Sequence, residues 1–131
     1  IRPTGSMTEL RRRLIRSGMN SQADLLTQAE GKIIGGPPED GVKNCRSAVE
    51  QILENLMKRM NLDPTDSFKN NLERLASHKY IDPRLKESVY EFYYRLLSKD
   101  AHDKYKPTAR EAEYILALTV DTIAFLLDRF G

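Results

Sequence analysis

Tryptophan is absent, cysteine occurs once and histidine only twice in the 131 residues of this chain. Each scarcity closes a class of chemistry. A lone Cys45 cannot form an intramolecular disulfide and fits a reducing compartment, so a cytoplasmic protein is expected. Cys45, His78 and His102 are too few and too scattered to supply a tetrahedral zinc set, and neither metal nor cofactor is expected. No apolar run approaches the roughly 18 residues of a membrane span, and no signal-peptide pattern opens the chain. No membrane partner is therefore expected. An excess of one charge is missing too. The 21 Lys and Arg against 19 Asp and Glu leave a net of +2, so any contact with nucleic acid must come from a local arrangement rather than a bulk field. Strand signals are also lacking, with no sustained period-two alternation and few clustered β-branched residues.

Helical periodicity fills the space left by these absences. Residues 1–7, which include Gly5-Ser6-Met7, read as a remnant of cloning and are set aside from fold reasoning. Residues 8–38 hold a basic helix over 8–16, a second helix over 22–34 and a Gly/Pro linker. In the first, Leu10, Leu14 and Ile15 lie on one side and Arg11, Arg12, Arg13 and Arg16 surround them. Ser21 is placed to cap the second, which carries Ala23, Leu25, Leu26, Ala29 and Ile33. Gly35-Gly36-Pro37-Pro38 ends it.

Residues 39–131 form the expected bundle core. A long helix starts with Asp40 at its cap and runs to about Met60, with Val42, Cys45, Val49, Ile52, Leu56 and Met60 as one apolar stripe. Asn61-Leu62-Asp63-Pro64 breaks it. A shorter helix from Thr65 or Asp66 bears Phe68, Leu72, Leu75 and Ala76. Asp82-Pro83 supplies an acceptor at the cap and proline at the first helical position, ahead of Leu85, Val89, Phe92 and Leu96. Thr108 and Glu111 form a capping box for the last helix, which continues through Ala112, Ile115, Leu116, Thr119, Ile123, Leu126, Leu127 and Phe130. The fold class expected is all-α, an up-and-down bundle of four to five helices.

Between the last two long helices lies Arg95-Leu96-Leu97-Ser98-Lys99-Asp100-Ala101-His102. Seven residues make nearly two helical turns, so Arg95 and His102 fall within about 20° on a continuous wheel, though about 10 Å apart along it. Arginine grips phosphate in a bidentate fork, and histidine exchanges protons near neutral pH. Extending the helix past Ser98 places Ser88, Glu91, Arg95, Ser98 and His102 beside the apolar stripe, where a side chain is held yet meets solutes. Lys99, Asp100, Asp103, Lys104 and Tyr105 crowd the same turn.

This layout resembles the HEPN superfamily (higher eukaryotes and prokaryotes nucleotide-binding), particularly its abortive-infection and defence-associated branches. Those domains are helical bundles with an Arg-x(4–6)-His motif late in the chain, followed by a long final helix. Here the motif is Arg95-x6-His102 and the helix spans 108–130. Asn44-Cys45-Arg46-Ser47-Ala48-Val49-Glu50-Gln51-Ile52-Leu53 looks like the family's earlier helix with its Arg and Glu. The resemblance covers residues 40–130. It implies a metal-independent endoribonuclease, a toxin or antiviral-defence effector. His102 would act as general base or acid, and Arg95 would hold the phosphate while the 2′-hydroxyl attacks phosphorus. Ser98, Lys99, Asp100, Lys104, Tyr105 and Tyr94 would support or bind the RNA. It further implies a homodimer with two such pairs at a two-fold cleft, and a further domain or partner protein. One residue departs from the pattern: active members often carry Asn, Asp or His after the motif arginine, and here Leu96 follows Arg95.

Leu96 favours the alternative, a non-catalytic HEPN-like dimerisation, nucleotide-binding or adaptor module of a larger defence protein. A helical interaction domain outside the family would follow if Arg95 and His102 lay on opposite faces. Elsewhere the residues read more simply. His78 fits a helix end, favoured by the negative end of the dipole. Tyr93 flanks the apolar stripe and reads as core, whereas Tyr94 points outward, where aromatics can stack on bases. The Arg11-Arg12-Arg13 run reads as a solvated face or a phosphate contact, and Cys45 as a small buried hydrophobe.

Overall fold

A computed structural model describes the backbone of residues 4–131 and the side chains from Met7 on. Residues 1–3, part of the expected cloning remnant, lie outside the described residues. Seven α-helices and one π turn account for the secondary structure of the described residues: α1 (Thr4–Arg16), α2 (Asn20–Gly35), α3 (Pro38–Arg59), α4 (Phe68–Ser77), α5 (Pro83–Phe92), the π turn Tyr93–Leu97, α6 (Lys99–Lys104) and α7 (Ala109–Phe130). The chain is all-helical, a helical bundle, with more segments than the four to five expected. The reason is local. Ser98 adopts an extended conformation that splits the helix carrying Arg95 from the one carrying His102.

Contacts between side chains fix the direction of each segment. Arg11 meets Thr27 and Glu30, so α2 runs back along α1. The amide of Gln22 donates to Gln51, and Asn44 donates to Gln28, so α3 runs back along α2. Tyr93 reaches Glu50 and Lys106 reaches Glu39, which returns α5, the π turn and α6 antiparallel to α3. Arg13 pairs with Asp128, so α7 ends beside the end of α1. Five runs thus alternate in direction, with α4 as a short excursion between the third and fourth.

One hydrophobic core joins them, drawing on Met7, Leu10 and Leu14 of α1, Leu26 and Ile33 of α2, Ile52, Leu53 and Leu56 of α3, and Ile123 and Leu126 of α7. Met7, set aside as part of the remnant, is buried in this core within α1. Helices α2 and α3 approach closely: a Cβ on buried Gly41 would lie 2.6 Å from Ile33 Cγ1 and 2.8 Å from the Ala29 carbonyl oxygen. Only glycine allows the two helices this separation.

The stop and start signals behave unevenly. Thr108 and Glu111 complete their capping box, and Asp82 accepts from the Arg84 amide. Asp40, expected at a cap, instead lies in the first turn of α3, because Pro38 can open a helix that Pro37 precedes. Ser21 lies inside α2, whose cap is Met19. Ser67 caps α4 rather than Thr65 or Asp66; Thr65 is held by buried Asn71, whose amide donates to its carbonyl and whose oxygen accepts from its N–H. Asn61 turns left-handed after α3, and the Leu62 N–H closes onto the Met57 carbonyl.

Two apolar expectations fail. Ile15 is exposed, and Leu85 is 48% exposed. Along the fourth run, the Ser98 N–H bonds the Tyr93 carbonyl at 2.8 Å, five residues back. That wider turn advances the buried face by one residue. Leu97 is consequently enclosed, while Leu96 is half-buried.

Candidate functional site

The π turn and α6 position the residues singled out from the sequence. Ser98 is buried; its hydroxyl donates to the Tyr94 carbonyl and accepts from the Ala101 N–H, capping α6. The His102 N–H then bonds the Ser98 carbonyl. The histidine is therefore one turn along a helix whose start is fixed by the serine. Its ring is half-buried, with Nδ1 enclosed and without a hydrogen-bond partner. Nε2 is then the only ring nitrogen that can be open to solvent.

Arg95 sits on the other side of the Ser98 break. Its side chain is 74% exposed, and Nε lies 2.5 Å from a Glu91 oxygen, one helical turn back. The single continuous wheel expected for Ser88, Glu91, Arg95, Ser98 and His102 does not form, because the π turn and the extended serine reset the angle between the segments. Arg95 instead lines a groove of about 360 Å³ with Glu91, Phe92, Leu96, Leu118, Asp121 and Thr122. His102 is not among the residues lining that groove.

The supporting residues divide in the same way. Lys99, Asp100 and Lys104 are exposed on α6. Tyr94 is exposed and stacks on Tyr90, ring centroids 5.8 Å apart. Tyr105 turns toward α7, where its hydroxyl bonds Glu111. That bond raises the phenol and, with the Thr108 N–H, holds the Glu111 carboxyl below its ordinary range. Tyr105 and Glu111 border a second part of the groove with Leu96, Arg110, Tyr114 and Ile115.

The sequence offered Arg46 and Glu50 only through the resemblance of residues 44–53, and their cluster with Tyr93 was missed. The Tyr93 hydroxyl donates to Glu50 of α3, and its ring stacks on Phe68 at 4.2 Å. Burial first, then the Glu50 hydrogen bond and charge, push the phenol up, and the Arg46 guanidinium works in the opposite sense. Tyr93 is thus half core and half polar anchor. Arg46, one turn before Glu50, has an Nη1 that is buried without a partner. Leaving such a donor unsatisfied costs about 1–3 kcal/mol, more for a charged group. The signal in the sequence was Arg46 and Glu50 spaced four apart on the half-apolar face of α3.

The remaining candidates have internal partners. Arg11, Arg12, Arg13 and Arg16 each pair with a carboxylate, on Glu30, Glu9, Asp128 and Glu9 respectively. His78 caps the end of α4 with Nδ1 2.9 Å from the Arg74 carbonyl oxygen. Cys45 is fully buried, and burial pushes its thiol up to about 12 against a hydrogen bond with Thr119. Among the described residues no group of three or more His, Cys, Asp or Glu could hold a metal ion, and no helix is long and apolar enough to cross a membrane. Comparison with protein-family models, with curated proteins and with solved structures gives no match.

Proposed function

We propose that this chain is a HEPN-like domain that cleaves RNA without a metal ion, as a toxin or defence effector acting in the cytoplasm. The observation that carries the reading is His102: half-buried, held by the Ser98 cap, with one ring nitrogen enclosed and the other left to meet a solute. Through Nε2 it takes the proton of a ribose 2′-hydroxyl as that oxygen attacks the adjacent phosphorus; the bond to the 5′-oxygen breaks, that oxygen takes a proton from solvent and leaves as a hydroxyl, and a 2′,3′-cyclic phosphate remains. Arg95 offsets the charge that develops on the phosphate oxygens. Its bond to Glu91 is no obstacle. An exposed pair at this spacing is worth roughly 0.3–0.5 kcal/mol, whereas a charge-assisted bond to phosphate is worth about 1.5–3. Incubation of the protein with labelled single-stranded RNA in EDTA, beside Arg95→Ala and His102→Ala, tests this directly.

The groove between the fourth run and α7 favours a second reading, a non-catalytic dimerisation or adaptor module. Leu85, Phe92, Leu96 and Phe125 lie along it and Tyr114 stands at one end, with Leu85 and Tyr114 exposed. Both readings seat a second copy of the chain there, because a two-fold contact along this groove brings each Arg95 near its counterpart. Light scattering then reports about twice 15.1 kDa, and Leu85→Lys halves it. The two readings part on whether RNA is cut.

A further inference from the structure

Two side-chain atoms of the described residues are buried without any hydrogen-bond partner, Arg46 Nη1 and His102 Nδ1. They come from helices 56 positions apart in sequence by residue number, yet both are tied to Tyr93. Arg46 acts on the Tyr93 phenol, which is hydrogen-bonded to Glu50 one turn along α3. The Tyr93 carbonyl accepts from the Ser98 N–H, and the Ser98 carbonyl accepts from the His102 N–H. The Tyr93–Glu50 and Lys106–Glu39 contacts bracket Arg46 on α3 and His102 on α6, so the two residues fall in the same stretch of two antiparallel runs.

The other arginines of the bundle are mostly occupied. Arg95 holds Glu91, Arg84 holds Asp82, and Arg59 and Arg74 donate to the carbonyls of Ser17 and Asp63. Among the described residues no ion pair holds Arg46, and an oxygen of its neighbour Glu50 accepts from Tyr93 instead. A half-buried guanidinium with an idle N–H is a binding group for an oxyanion.

We infer that Arg46 is the primary phosphate-binding residue of the His102 site, and that a phosphate mono- or diester sits between Arg46 and His102. This extends the proposed phosphodiester chemistry. Arg95, on the outer side of the Ser98 break, then serves as an auxiliary cation. Inorganic phosphate is the probe, added to the folded chain while NMR follows the ring signals of His102 and the Nε–H signal of Arg46. Both sets shift together in the wild type. Affinity falls at least about tenfold in Arg46→Gln, partly recovers in Arg46→Lys, and falls less in Arg95→Gln than in Arg46→Gln. Phosphate that leaves the His102 or Arg46 signals of the wild type unmoved overturns the inference. So does binding in Arg46→Gln equal to wild type, or a loss in Arg95→Gln as large as in Arg46→Gln. If Arg46→Gln does not fold, the wild-type shifts and Arg46→Lys decide. Phosphate binding as described with no cut RNA strikes the cleavage reading alone.

Discussion

The Tyr93 hydroxyl donates to a Glu50 carboxylate oxygen 43 residues earlier in the chain, pinning the π turn to the middle of α3. Everything from Ser98 to His102 is placed by that pin. Tyr93→Phe keeps the ring stacked on Phe68 and removes only the donor. It should cost about 1 kcal/mol in urea unfolding, and Glu50→Gln a similar amount. A double-mutant cycle should show coupling of about 0.5–3 kcal/mol. Strict additivity would mean that the two side chains do not cooperate.

Gly41 lies inside α3, where alanine is ordinarily about 1 kcal/mol better than glycine. Here the added methyl meets Ile33 and the Ala29 carbonyl, so Gly41→Ala should destabilise by about 1–3 kcal/mol through forced separation of α2 and α3. The sign is the test: a more stable variant would show that the helices are not closely packed at this point.

Hydrogen bonds from the side chain and the N–H of Arg84 hold the Asp82 carboxyl below its ordinary value. A depressed carboxylate contributes stability that is fully present above the unfolded value of 3.8 and is lost as pH falls through the folded one. Asp82→Asn should therefore flatten the acid limb of the stability profile below about pH 4, relative to wild type. An unchanged slope in denaturation between pH 2 and 5 would contradict the capping role.

The buried face of the fourth run distinguishes the structure from its simplest helical pattern. Leu97→Ala should cost about 2–5 kcal/mol and Leu96→Ala clearly less. The reverse order would mean that no π turn forms.

Much of the fold was legible because helix-period stripes and caps are local signals. The α3 stripe from Val42 to Leu56, the Asp82-Pro83 start and the Thr108–Glu111 box all stand in the structure where the sequence puts them. Leu85, Leu97 and Ile15 were not legible, because exposure on a helix flank and a five-residue hydrogen bond depend on neighbours distant in sequence. At the site, the Ser98 cap changed the outcome. Ser98 reads as one more position beside the stripe of a continuing helix, yet here it ends one helix and opens another, so Arg95 and His102 are not on one wheel. The four-residue spacing of Arg46 and Glu50 is legible, but the Tyr93–Glu50 bond and the idle Arg46 nitrogen are tertiary facts that local spacing does not show.

The most direct test of the account is the chemistry of the product ends. RNA incubated with wild-type protein in EDTA should yield fragments ending in a 2′,3′-cyclic phosphate, and His102→Ala, folded by circular dichroism, should cut about 10²–10⁴ times more slowly. Intact RNA with the wild type across single-stranded substrates, or equal cutting by His102→Ala, would contradict it and leave the dimerisation module as the reading of this fold.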